Sequence, residues 1–138
     1  MQRRTLLAAS AGTLASLAGC TGGGGGTEGY GDWFSNVENY DGELDRTGQS
    51  TVEVTVGAEG GLSFAPAAIV VDSGTTVRWT WTGKGGRHNV VERDGAFESE
   101  YHETEGATYE RTFDETGVFP YFCQPHQSMG MKGGVRVE

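Results

Sequence analysis

At 138 residues the chain has room for one domain with a single core. Acidic residues outnumber basic ones 19 to 10, a formal net charge of −9. That sign excludes nucleic acid as a partner, which needs a basic surface.

Residues 1–20 read as an export signal. Arg3 and Arg4 precede an apolar run from Leu6 to Ala18 that is too short to span a bilayer. The arginine pair followed by Leu6-Leu7 resembles a twin-arginine signal, and Leu17-Ala18-Gly19-Cys20 resembles a lipobox. In a lipobox the Cys thiol is lipidated and becomes the new first residue. A plain secretory signal is the alternative, but the small residues directly before Cys20 favour the lipoprotein. The expectation is export to the outer face of the cell membrane, with a lipid anchor at Cys20. Removing Arg3 and Arg4 leaves eight basic residues against 19 acidic ones, and Lys84 and Lys132 are the only lysines. This fits a halophilic protein kept soluble by self-repulsion.

Residues 21–50 read as a Gly-rich linker and an N-terminal extension. Gly22 to Gly26 is a run of five glycines, which behaves as flexible coil. A short helix is expected from Trp33 to Glu38, in a stretch whose aromatics suit packing on the domain.

From Thr51 onward the period is two. Val52, Val54 and Val56 alternate with Thr51, Glu53 and Thr55. Val77, Trp79 and Trp81 alternate with Thr76, Arg78 and Thr80, and Tyr109, Arg111 and Phe113 follow the same rule. Shorter strands are expected at Ala68–Val71, His88–Val91, Val118–Cys123 and Gly134–Val137. No stretch carries a sustained helical stripe. Seven or eight short strands with Gly-rich turns predict an all-β fold over 51–138, a Greek-key sandwich or barrel. Pro120 lacks an N–H, so its strand should meet an edge or bulge there.

The segment Tyr121 to Met131 holds a thiol at Cys123, an imidazole at His126 and thioethers at Met129 and Met131. His88-Asn89 lies upstream. Singly, each has a bland reading: His88 as a satisfied core histidine, Cys123 as a small buried hydrophobe, Met131 as packing. Together, one thiolate, two imidazoles and a weak axial thioether are the ligand set of a blue-copper electron-transfer site. Soft sulfur favours Cu(I), imidazole suits both oxidation states, and an intermediate geometry lets one electron move with little rearrangement. His102, in the acidic stretch Tyr101-His102-Glu103, reads as a solvated surface residue.

Cys123-x-x-His126-x4-Met131 with His88-Asn89 upstream resembles the plastocyanin-type cupredoxins, a family of type 1 copper proteins. The fuller pattern resembles their halocyanin branch, through Gly57-Ala58-Glu59-Gly60, Phe64-x-Pro66, Trp79-x-Trp81, His88-Asn89-Val90-Val91 and Gly130-Met131-Lys132-Gly133. The resemblance implies one copper ion bound by His88, Cys123, His126 and Met131, with the family spacing selecting Met131 over Met129. It implies that Asn89 holds the Cys123 loop by hydrogen bonds. It also implies a partner-docking patch of Leu62, Gly85 and Met129 around His126, and monomeric work between membrane redox donors and acceptors. Phe122 and Arg87 depart from plant plastocyanins, which have Tyr and commonly Pro there.

Two rivals remain on the residues. A Cys–His hydrolase using Cys123 and His126 would leave His88 and Met131 unexplained. A dinuclear copper oxidase subunit would need a second Cys near Cys123, and there is none. A copper storage or delivery protein, or a zinc-binding lipoprotein, could use the same ligands.

Overall fold

The computed structural model describes residues 29–138. Residues 1–20, expected to be an export signal ending at Cys20, and the five-glycine run lie outside the described residues. Among the described residues, no helix is long and apolar enough to cross a membrane.

Nine strands form two sheets among these residues. They are β1 (Leu44–Asp45), β2 (Thr51–Ala58), β3 (Ser63–Ala65), β4 (Ala68–Val71), β5 (Thr75–Trp81), β6 (Val91–Glu92), β7 (Thr108–Phe113), β8 (Gly117–Phe122) and β9 (Lys132–Val137). One sheet has the order β1-β4-β9-β8-β6, and the other β3-β2-β5-β7. The all-β expectation holds. β1 and β3 escaped it because two- and three-residue strands carry no readable period.

The alternation in β2 and β5 comes from their position between a core and water. Val52, Val54, Val56, Val77, Trp79 and Trp81 point inward and are buried. The core is completed from the other sheet by Ile69, Val71, Tyr121, Val135 and Val137, with Phe64, Phe97 and Phe113 beside them. Trp79 sits at its centre, with Tyr121 edge-on at 5.3 Å between ring centroids. Such pairs add to the gain from buried area. On the solvent face, Arg78 bridges Glu53 at 3.1 Å and Glu110 at 2.7 Å across three strands.

β4 does not alternate, since all four of its residues are buried. Ile69 and Val71 face the main core, while Ala68 faces a second cluster with Tyr30, Phe34, Val37 and Ala67. That cluster is built by the N-terminal extension. Tyr30 lies so close to β9 that any Cβ at Gly134 would collide with its ring. Glu43, just before β1, takes a forked grip from Arg136 of β9, with N···O distances of 2.8, 2.9 and 3.1 Å.

Two local expectations are corrected. Trp33 to Glu38 is not a helix. It is a run of turns closed by three-residue bonds, Trp33 N–H to Tyr30 O, Ser35 N–H to Asp32 O and Val37 N–H to Phe34 O. The aromatics are fixed by tertiary packing, with Phe34 stacked on Tyr40 at 4.0 Å. The strand expected over His88–Val91 is displaced. Paired β structure falls on Val91–Glu92, and His88 makes only an isolated antiparallel bridge to His102. Pro120 lies in β8 beyond the end of β6, which pairs only with Tyr121 and Phe122.

Candidate metal centre

Cys123 follows the last residue of β8, and Met131 precedes the first residue of β9. Between them Gln124–Met129 forms a 3-10 turn with none of its residues buried. The loop closes on its own backbone. Cys123 N–H donates to Met131 O at 3.1 Å, His126 N–H to Cys123 O at 3.1 Å and Met131 N–H to His126 O at 3.2 Å. Gly130 ends the turn at φ +88°, where a side chain would also strike the Asn36 carbonyl.

His88 comes from the neighbouring segment, between β5 and β6, and is fully buried. Its backbone pairs both ways with His102, at 3.0 and 2.9 Å, and its carbonyl accepts the Trp81 indole N–H at 3.1 Å. Its Nε2 lies 2.7 Å from the Lys84 carbonyl. A carbonyl can only accept, so the proton sits on Nε2 and the Nδ1 lone pair is left to face the loop.

There it meets the other two donors. His88 Nδ1 is 3.6 Å from Cys123 Sγ, His126 Nδ1 is 3.5 Å from the same sulfur, and the two imidazole nitrogens are 3.2 Å apart. The point equidistant from these three atoms lies about 2.0 Å from each, close to ordinary metal–imidazole and metal–thiolate bond lengths. The donors are neutral nitrogens and a soft sulfur, with no carboxylate among them. They therefore fit a soft or borderline transition metal such as copper rather than Mg²⁺ or Ca²⁺.

The electrostatics agree. Burial pushes the Cys123 thiol pKa up, opposed by the Asn89 and His126 backbone N–H groups that bond the sulfur. Burial, then the neighbouring His88, pushes the His126 imidazole down. Burial thus favours the neutral thiol at Cys123 and the neutral imidazole at His126. A bound cation reverses the first preference by stabilising the thiolate.

The remaining candidates fall at different depths. Met131 is fully buried in the core cluster that contains Cys123, whereas Met129 is 59% exposed. Asn89 is buried and bonds Gln124 twice at 2.9 Å, accepting from its backbone N–H and donating to its side-chain carbonyl. Leu62 is half-buried and Gly85 exposed. Leu62 and Met129 line a groove of about 340 Å³ together with Glu38 and Glu59. His126 is the one member of the donor triangle that is only partly buried.

His102 is not a freely solvated side chain. It is half-buried, holds the His88 backbone, and sets its ring edge-on to Trp81 at 4.9 Å. Sequence reasoning also missed Gln124 and Tyr101, whose hydroxyl donates to the Gln124 side chain at 3.0 Å. Arg87 stacks 4.2 Å over the Tyr101 ring. Such pairings depend on loops meeting in space and leave no local signal.

Known proteins share this arrangement. The family model for copper binding proteins of the plastocyanin/azurin family matches residues 50–138. Halocyanin from Natronomonas pharaonis is 51% identical over 119 residues, 80% of this chain and 73% of that one. Plastocyanin from Scenedesmus fuscus is 34% identical over 98 residues, 63% of this chain and 99% of that one. Among solved structures, a Cu-containing nitrite reductase from Thermus scotoductus superposes with a TM-score of 0.54 at 29% identity. That match covers 64% of this chain but only 22% of the reductase, so the likeness is to one part of that enzyme. With the His-Cys-His triangle and the two-sheet fold, these matches place the chain in the plastocyanin/azurin family, as a type 1 copper electron carrier.

Proposed function

We propose that the chain shuttles single electrons between membrane redox proteins, with one copper ion held by His88, Cys123, His126 and the axial thioether of Met131. The observation that carries this reading is the triangle of Cys123 Sγ and two imidazole Nδ1 atoms, with sides of 3.2, 3.5 and 3.6 Å. Copper bound there supplies a one-electron Cu(I)/Cu(II) couple. The residues hold the donors still in both states. His88 is fixed by Lys84 and Trp81, and the Cys123 loop by Asn89. Burial of Met131 and exposure of Met129 support Met131 as the axial donor. The partly buried His126 ring offers the shortest route between solvent and the donor triangle.

Storage or delivery is the weaker reading, because exchange needs accessible ligands and both His88 and Cys123 are fully buried. A Cys–His hydrolase is also the weaker reading, because it would leave His88 Nδ1, 3.6 Å from Cys123 Sγ, without a role. An absorption spectrum with Cu(II) tests the core of the proposal. The wild type should be intensely blue from thiolate-to-copper charge transfer, and Cys123→Ser should lose the band. A blue Cys123→Ser protein would refute the ligand assignment.

The remaining parts concern place and partner. Residues 1–20 act as the removed signal, Cys20 carries the lipid, 21–50 joins anchor to domain, and 51–138 binds copper. Cys20→Ser should then move the protein from membrane to soluble fraction; wild type found wholly in the soluble fraction would count against it. In molar salt the Debye length is about 3 Å, so docking would rest on short-range contact at Leu62, Gly85 and Met129. Leu62→Glu should slow electron transfer to native membranes far more than neutralising Glu98, Glu100 and Glu103. The reverse ranking would discard this patch.

A further inference from the structure

The 3-10 turn that links Cys123 to Met131 has no buried residue of its own, so the core cannot hold it from within. Loops of this kind are mobile unless something ties them down. Yet a metal site needs its donors placed to within about 0.5 Å. The N-terminal extension reaches the far side of this loop. The Trp33 indole N–H donates to Gly133 O at 3.0 Å, and Lys132 Nζ donates to Trp33 O at 3.4 Å. A side chain at Gly130 would strike the Asn36 carbonyl, so the extension's backbone runs close against the loop there. These contacts fall on residues 130, 132 and 133, and so bracket Met131 from both sides.

The extension is itself anchored. Trp33 packs edge-on against Phe122 at 6.2 Å, and Lys132 lies 4.8 Å over its ring. Asn39 Nδ2 donates to Phe64 O at 2.7 Å. Glu43, with a side chain only 6% exposed, is clamped by Arg136. The extension's own residues in these contacts all lie before residue 50, where the family match begins.

We infer that residues 30–43 are a brace that sets the position of Met131, with Trp33 as the positioning residue. This rests on the reading of Met131 as axial donor. The brace acts on the backbone on either side of Met131, and through it on how closely the thioether approaches the donor triangle. A looser brace should weaken the axial donor, as deleting it would. It should therefore move the reduction potential in the same direction as Met131→Leu.

The test compares four variants of the full chain by voltammetry, absorption spectroscopy and thermal unfolding. Trp33→Phe keeps a ring against Phe122 but removes the indole N–H, and Trp33→Ala removes both. Glu43→Gln weakens the distant clamp, and Met131→Leu removes the thioether. One lost hydrogen bond corresponds to about a fivefold change in the ratio of Cu(II) to Cu(I) affinity if it is felt in one oxidation state only. Trp33→Phe should show a shift of that order with a moved charge-transfer band, Trp33→Ala a larger one. Glu43→Gln should lower the melting temperature and shift the potential by less than Trp33→Phe does, because it loosens the brace only at its far end. If the Trp33 variants merely melt earlier while Met131→Leu alone moves the potential, the brace is structural only and the inference fails. A Trp33 shift without a Met131→Leu shift would overturn the axial assignment and leave a brace acting on the loop. No shift from either would sink both.

Discussion

Asn89→Ala separates what holds the fold from what holds the metal site. Asn89 is 1% exposed and makes two hydrogen bonds of 2.9 Å to Gln124, one to its backbone and one to its side chain. A hydrogen bond of this kind contributes about 1 kcal/mol net, so the metal-free protein should lose about 2 kcal/mol. Gln124 is exposed and can turn to water, which keeps the loss near this value. Copper adds a second loss. Removing a group that orients a metal ligand commonly weakens affinity about 10- to 100-fold, or about 1.4 to 2.7 kcal/mol more at saturating metal. Urea unfolding followed by circular dichroism, with and without copper, reads both. The copper-loaded form should lose about 3 to 5 kcal/mol, against about 2 for the metal-free form. Equal losses in the two forms would show that Asn89 braces the fold without positioning the Cys123 loop.

Met131→Leu should keep the blue copper but raise its potential, because a weak donor to Cu(II) is lost, while Met129→Leu should shift it little; voltammetry showing the larger shift for Met129 would reverse the assignment. Burial raises the Cys123 thiol pKa, so the metal-free fold is favoured below the ordinary thiol pKa and loses that contribution as pH rises through the folded value. Since binding expels the thiol proton, copper affinity should fall steadily as pH drops below that value; a pH-independent affinity between pH 6 and 8, roughly the span below a free thiol's pKa, would argue against a thiolate ligand. Gly134→Ala would drive a methyl group into the Tyr30 ring and should cost about 1 to 3 kcal/mol in chemical denaturation. An unchanged midpoint would mean that Tyr30 does not pack there as firmly as described.

The strands with regular burial were legible because their side chains meet two different media. β2 and β5 alternate for that reason. β4 shows no alternation because the extension covers its outer face, a fact written in Tyr30 and Phe34 rather than in β4 itself. The donor triangle could be read because its spacing is set by a tight loop between two strands. The supports of that loop were legible only in part. Asn89 adjoins a ligand in the chain, but Gln124 finds it from 35 residues away, and Trp33 finds Gly133 from 100. No periodicity reports such meetings. The run from Trp33 to Glu38 suggested a helix because its turns place aromatics at near-helical spacing; tertiary stacking set its backbone instead.

The small strand β1 has a further consequence for association. Its two residues pair in parallel with Ile69 and Val70 of β4. Without it, Ala68–Val71 would be the border of its sheet, an uncharged β-branched run with open amide and carbonyl groups. A border of that kind recruits a strand from another copy and begins a fibre. β1 occupies the position first, and is itself too short and too charged around Asp45 and Arg46 to serve as the next template. β6 and β3 close two other borders with two and three residues. The remaining border, β7, presents Glu110 and Thr112 to water. At high protein concentration, where repulsion between acidic surfaces is screened by salt, resistance to aggregation would rest on these short borders more than on net charge.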